Sequence, residues 1–149
     1  MSKVTKTYDN DLLLKDAGLI AASAACTVDS VAQILDLGTG ASEGDIVVDV
    51  TACEVLSDDE KYQIGVQISS EDDFSSDVYE VATLNLGSAG TALGDNIPGD
   101  TDMGIGRYII KFRNVIADDV KKRYLRLYTH VSGSIATGIN YVAYLAKKS

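Results

Sequence analysis

Few side chains in this sequence are of the types from which reaction centres are built. There is one histidine, His130, and two cysteines, Cys26 and Cys53, with no tryptophan. A triad or a histidine-based metal site would have to be assembled around His130 alone. His130 lies inside a stretch of alternating polar and apolar residues, so it reads as a solvated or cross-strand partner and not as a general base. The cysteines form no Cys-x-x-Cys pair, which leaves neither a zinc site nor a disulfide framework, and each reads as a small buried hydrophobe in a reducing compartment.

The carboxylates are more numerous and better placed in turns than in sites. Asp95, Asp100 and Asp102 with Asn96 are oxygen ligands of the kind calcium takes. However, counting an EF-hand loop from Asp100 puts Lys111 where the bidentate Glu belongs. Asp58-Asp59-Glu60 and Glu71-Asp72-Asp73 also fall in turn-rich breaks and read as surface charge. The run Ile34-Leu35-Asp36-Leu37-Gly38-Thr39-Gly40 looks like the cofactor loop of class I methyltransferases. Such a loop must open into a helix that returns to a parallel strand, and Ala41 to Asp45 are too few residues for that crossover. No catalytic residue, cofactor or metal is expected.

The elements that would position these residues are strands. Tyr62, Ile64, Val66 and Ile68 alternate with Gln63, Gly65 and Gln67, and this is the cleanest period-two segment. Leu125, Leu127, Thr129 and Val131 alternate with Tyr124, Arg126, Tyr128 and His130. Ile46 to Cys53 and Tyr108 to Arg113 each read as a strand with one buried face. Tyr79 to Leu86 and Ile139 to Leu145 add two more, and Val31 to Leu37 a short one. Turn-rich breaks separate them at Gly38–Gly44, Ser57–Lys61, Ser69–Asp77, Gly87–Gly90, Gly94–Gly106, Ala117–Lys122 and Ser132–Gly138. Six to eight strands at this spacing predict an all-β sandwich or barrel. Asp9 to Ala25 suits a short helix or an extended N-terminal arm equally well. No repeat or linker divides the chain, so residues 1–149 read as a single domain with Gly90–Gly106 as an inserted loop.

Composition bounds the partners. The 149 residues carry 22 acidic and 13 basic side chains, a formal net charge of −9. That balance repels a phosphate backbone, so nucleic acid is excluded as an expected partner. The start of the chain lacks the apolar core of an export signal. The longest uncharged stretch, Val131 to Ala146, is shorter than the ~20 residues of a membrane-spanning helix. No membrane partner is expected.

Four stretches, in order, resemble one family. They are Tyr8-Asp9-Asn10-Asp11-Leu12-Leu13-Leu14 followed by Asp16-Ala17, then Ile34-Leu35-Asp36-Leu37-Gly38, then Val66 to Ser75 (Val-Gln-Ile-Ser-Ser-Glu-Asp-Asp-Phe-Ser), and Arg123-Tyr124-Leu125-Arg126-Leu127-Tyr128-Thr129 leading to Thr137-Gly138. Together they resemble the capsid cement, or decoration, proteins of tailed bacteriophages of the Bordetella-phage type. The resemblance implies a jelly-roll β-sandwich and no enzymatic activity. It further implies a homo-oligomer, a dimer or trimer, on the outer surface of the virion's icosahedral capsid, made in the host cytoplasm and bridging neighbouring major capsid protein subunits. The lysine-bearing extension before Tyr8 and the Gly90–Gly106 loop depart from the family pattern.

Two surfaces are expected to meet the capsid or another copy. Tyr8, Leu12, Leu13 and Leu14 form one, because three consecutive leucines cannot all face one core and an apolar patch left outside meets a partner; a buried helix or edge strand is the alternative for the same residues. Tyr124, Arg126 and Tyr128 form the other, being of the types that most often anchor interfaces. A carbohydrate- or receptor-binding β-sandwich of a phage virion is the competing class, and the absence of tryptophan weighs mildly against it.

Overall fold

The computed structural model describes residues 12–57, 59–88, 104–117 and 120–146. These residues build an all-β sandwich. In chain order the strands are β1 (Leu13–Lys15), β2 (Leu19–Ile20), β3 (Ala24–Ala25), β4 (Thr27–Val28), β5 (Val31–Ala32), β6 (Leu35–Asp36), β7 (Glu43–Cys53), β8 (Lys61–Ser69), β9 (Tyr79–Gly87), β10 (Gly106–Arg113), β11 (Val115–Ile116), β12 (Val120–Lys121), β13 (Tyr124–Ser132) and β14 (Ile139–Ala146). The first sheet runs β1-β14-β7-β10 with β2 also on β14, and the second runs β3-β13-β8-β9 with β6 also on β13. Every pairing is antiparallel.

Each long strand forms where the apolar alternation lies, because only a period of two sends the same residues to one face. Ile46, Val48 and Val50 of β7, Ile110 and Phe112 of β10, and Tyr141 and Ala143 of β14 face inward from the first sheet. They meet Tyr62, Ile64, Val66 and Ile68 of β8, Leu125 and Leu127 of β13, and Leu86 of β9. Burial of these side chains, worth roughly 1.5–3 kcal/mol each, is the main force holding the sheets together. The strand before the Gly38 turn, β6, pairs antiparallel with β13, and the described strand that follows, β7, lies in the other sheet.

From Leu13 onward the segment Asp9–Ala25 runs as short strands and turns with no α-helix. Leu13 and Leu14 are both buried, but in different clusters on opposite sides of the first sheet. A strand places neighbours in this way, and a helix would have put them about 100° apart on one surface. Lys15 secures this segment. Its Nζ donates to the carbonyls of Tyr141 at 2.8 Å, Asp16 at 2.8 Å and Gly18 at 3.0 Å. Those three bonds use every ammonium proton, and desolvation lowers the pKa of the group.

β7 departs from the expectation of one buried face. Val47, on its outward side, is fully buried with Leu13, Tyr144 and Ala146, and Val28 and Val142 pack against them. The unbroken run Ile46-Val47-Val48 is the sequence mark of a strand covered on both sides. Val28 comes from the β4–β5 hairpin, whose two-residue turn, Asp29 and Ser30, takes positive φ at both positions. That conformation matches the twist of the flanking strands.

At one end of the sandwich a carboxylate ties two loops together. Glu54 accepts backbone N–H bonds from Ala136, Thr137 and Gly138 and the Thr137 hydroxyl. Led by the Thr137 N–H, these donors lower its pKa to about 2. Asp59 accepts from the Ser134 N–H and hydroxyl beside it. Glu60 corrects the expectation of surface charge, because its side chain is fully buried and takes the Ser57 N–H. It precedes the inward-facing Tyr62 by two residues, so strand parity carries it inside. Asp58 lies outside the described residues.

Candidate functional site

The outer face of the second sheet gathers the side chains with the most capacity for recognition. Parity along β13 turns Leu125, Leu127 and Thr129 inward, leaving Tyr124, Arg126, Tyr128 and His130 half-buried on the outer face. The neighbouring strand places Gln67 opposite Arg126, Gly65 opposite Tyr128 and Gln63 opposite His130. Beyond it, β9 sets Glu80 beside Gln67 and Asn85 beside Gln63.

Arg126 is held on three sides. Its Nε donates to Gln67 Oε1 at 2.8 Å. Its guanidinium carbon lies 4.5 Å from the Phe74 ring centroid and 5.5 Å from that of Tyr128. Phe74 reaches it from the loop between β8 and β9, where the residue takes φ 53° and is buried. Desolvation lowers the pKa of Arg126, although the group remains a cation. Two ring faces this near, together with the Gln67 bond, restrict the guanidinium and lower the entropy cost of ordering it on contact.

A histidine and a carboxylate meet on the same face. His130 Nε2 lies 2.8 Å from Glu80 Oε1, and the His130 and Tyr128 ring centroids are 4.7 Å apart. Glu80 comes from β9 and crosses β8 to reach the imidazole. It can do so only because position 65 is glycine: a Cβ there would collide with the Glu80 carboxylate. His130 is thus a cross-strand partner, as its place in the alternation implies.

Arg126 differs from the other described arginines in its pairing. Arg107 binds Asp49 at 2.6 Å, Arg123 binds Asp36 at 2.7 Å and Arg113 lies 3.7 Å from Glu43. Among the described residues Arg126 has no carboxylate partner, and its Nη nitrogens donate to no side chain. It is a pre-oriented fork with its terminal donors unspent, which is the arrangement that binds a carboxylate from another molecule.

Of the expected surface residues, the structure brings Tyr124, Arg126 and Tyr128 together on this face. The leucines go elsewhere. Leu14 is fully buried in the main core, Leu13 in the smaller cluster and Leu12 is half-buried against the main core. For Leu13 and Leu14 the buried edge strand is therefore the arrangement adopted. Tyr8 lies outside the described residues, as do Asp95, Asn96, Asp100 and Asp102. Phe74, Gln67, Gly65 and Glu80 were not singled out from sequence. A lone aromatic inside the polar turn Glu71 to Ser76 was the one available signal.

Other sites are less developed. A groove of about 470 Å³ between β9 and β10 is lined by Glu43, Gly44, Asp45, Val81, Lys111 and Phe112 among others. Cys26 Sγ lies 3.0 Å from the Tyr141 hydroxyl and 3.4 Å from Thr129 Oγ1, and these hydroxyls are 2.6 Å apart. Burial raises the pKa of the thiol and of the Tyr141 phenol, so all three groups are neutral core partners. Among the described residues no three His, Cys, Asp or Glu side chains converge as for a metal ion, and no helix is long and apolar enough to cross a membrane. The sequence matches no family model and no curated protein.

Proposed function

We propose that this protein is a capsid decoration protein of a tailed bacteriophage, a cement that adheres to the outside of the icosahedral shell and bridges neighbouring major capsid subunits. The observation that carries this reading is the outer face of the second sheet, where Arg126 is clamped between Phe74 and Tyr128 with its fork open. Pre-oriented aromatic and arginine side chains on a strand face are the anchors of protein interfaces.

The sandwich itself we read as a jelly roll. Supporting this is the strand order, β1-β14-β7-β10 in one sheet and β3-β13-β8-β9 in the other, in which the chain crosses between sheets from β7 to β8, from β9 to β10 and from β13 to β14. Jelly rolls serve in viral shells and in lectins, so fold alone does not choose the function. Adhesion needs no reactive centre. A cement binds the assembled shell and not its free subunits, and so shifts the equilibrium toward assembly by mass action. Repetition over identical sites, and a grip on two subunits at once, makes modest affinity per contact sufficient.

The virion surface, the host cytoplasm as place of synthesis, and a dimeric or trimeric state follow from the same reading. One observation favours a second reading, a carbohydrate- or receptor-binding module. The amides of Gln63, Gln67 and Asn85 share the face with Tyr124 and Tyr128, and such a mixture also suits sugar hydroxyls. Co-sedimentation with expanded and unexpanded phage shells tests the choice. Binding to expanded shells that weakens with salt and is lost in Arg126→Ala is the expected result. A protein that ignored shells but bound on a glycan array would be a sugar-binding module instead.

A further inference from the structure

Unsatisfied oxygens gather where β8 begins and β9 ends. Glu60, just before β8, is fully buried; one carboxylate oxygen takes the Ser57 N–H, and the other, Oε2, has no hydrogen-bond partner. Ser88, just after β9, is also buried, and its Oγ has no partner either. The two residues are cross-strand neighbours. Lys61 and Gly87 form the last pair of the β8–β9 ladder, and beyond it the Ser88 N–H donates to the Glu60 carbonyl at 2.9 Å. Residues opposed in this way carry their Cβ atoms about 5 Å apart. Asp59 adds a third such atom, since its Oδ2 accepts from Ser134 while its Oδ1 is buried and unpartnered. Among the described residues no other buried side-chain nitrogen or oxygen lacks a partner, so every one of them falls in this corner. Negative charge collects there as well. Among the described residues no Lys, Arg or His pairs with Glu54, Asp59 or Glu60. Backbone and hydroxyl donors hold the Glu54 and Asp59 carboxyls below the ordinary carboxylate range, which keeps both ionised.

From this we infer that Glu60 Oε2 and Ser88 Oγ, beside the Asp59 carboxylate, are ligands of a hard divalent cation, calcium, bound at the end of the sandwich. The site is separate from the Arg126 face and does not depend on the decoration reading. A buried carboxylate is costly unless it is paired or coordinates a metal. A water between Glu60 and Ser88 would supply hydrogen bonds but leave the charge of the corner unanswered, whereas a divalent cation answers both. All three orphan atoms are oxygens, which selects a hard cation over zinc. Among the described residues no three acidic, histidine or cysteine side chains converge, so the Ser88 hydroxyl, backbone carbonyls and water complete the shell. Calcium accepts such a mixed set at flexible geometry, while magnesium demands a near-ideal octahedron. Ser57, whose N–H holds the other Glu60 oxygen, is exposed, so one turn of chain separates the site from solvent.

Terbium luminescence on the full-length, chelator-treated chain tests this, because Tb³⁺ occupies calcium sites and is excited through a nearby tyrosine. Tyr62 stands two residues after Glu60 and is buried in the same core. Wild type is expected to give saturable tyrosine-sensitised emission that calcium competes away and that magnesium displaces at least about tenfold less well. Glu60→Gln should weaken terbium and calcium binding at least about tenfold and Ser88→Ala about threefold, since a charged ligand is lost in the first and a neutral one in the second. Glu71→Gln with Asp72→Gln, exposed carboxylates of another loop, should change neither. Calcium should raise the melting temperature of wild type and leave that of Glu60→Gln where it was. Circular dichroism confirms the fold of each variant, and Ser88→Ala carries the test if Glu60→Gln does not fold. Absence of saturable emission in wild type would overturn the inference. So would emission and a calcium-dependent melting shift that survive both Glu60→Gln and Ser88→Ala, because the ion would then sit on other acids of the chain.

Discussion

On the outer side of the first sheet, Leu13, Val47, Tyr144 and Ala146 are buried together and Val28 of the β4–β5 hairpin packs against them. On the outer side of the second, Tyr124, Arg126, Tyr128 and His130 stand half-exposed, with their charges and rings arranged but not covered. Both faces are made by the outward residues of period-two strands. What differs is the chemistry of those residues. Val47 and Tyr144 would cost free energy if left in water, and the polypeptide itself closes over them. Arg126 and His130 are stable where they are, and rigid aromatic neighbours hold them ready for contact. A covered face contributes to folding, whereas an open, ordered face leaves its side chains free for contact.

The comparison is tested most severely by truncating one tyrosine on each face. Tyr144→Ala should cost about 3–5 kcal/mol in urea denaturation, in the range for deleting a large buried aromatic. Tyr128→Ala should cost less than about 1 kcal/mol and leave the denaturation slope unchanged. Equal costs would mean that the open face is part of the folding core.

Acid should act on neither face first, but on the loops between the sheets. Glu54 has a folded pKa of about 2 against an ordinary glutamate value of 4.5, held down chiefly by the Thr137 N–H. A depressed carboxyl pKa gives stability that is present above the unfolded value and is lost as pH falls through the folded one. Melting temperature should therefore decline as pH drops from 4.5 toward 2. Glu54→Gln should flatten that decline, whereas Tyr128→Ala should leave it intact. Asp36, lowered to about 2 by Arg123, titrates in the same window and, with the lowered Asp59, Asp73 and Asp77, contributes to the slope remaining in Glu54→Gln.

The smallest effect belongs to Gly65. A methyl there displaces only the flexible end of Glu80, so Gly65→Ala should change stability by less than about 1 kcal/mol. It should nevertheless separate Glu80 from His130, seen as a shift of the His130 ring resonances in NMR spectra. Unmoved resonances would mean that the imidazole does not depend on the carboxylate that crosses β8.

Much of this architecture was readable from alternation. The segments Ile46–Cys53, Tyr62–Ile68, Tyr79–Leu86, Tyr108–Arg113, Leu125–Val131 and Ile139–Leu145 all lie within strands of the sandwich. The outward placement of Tyr124, Arg126, Tyr128 and His130 also followed from parity. Elsewhere the local pattern misled. Three leucines in a row suggested a surface patch, yet two of them occupy opposite sides of one edge strand. Glu60 sits among turn residues but shares the inward parity of Tyr62, and parity prevailed over its charge.

Composition and periodicity by themselves determined that this chain forms strands and which residues of each strand share a face. Those properties are local, since they depend on a residue and its neighbours two positions away. Which face would be covered was decided only by the tertiary structure, through the return of Val28 over Tyr144. So was the clamping of Arg126 by Phe74, a residue 52 positions earlier in the numbering. These are contacts between segments distant in sequence, selected by how two sheets pack and where their loops return, and no pattern within a single strand encodes them.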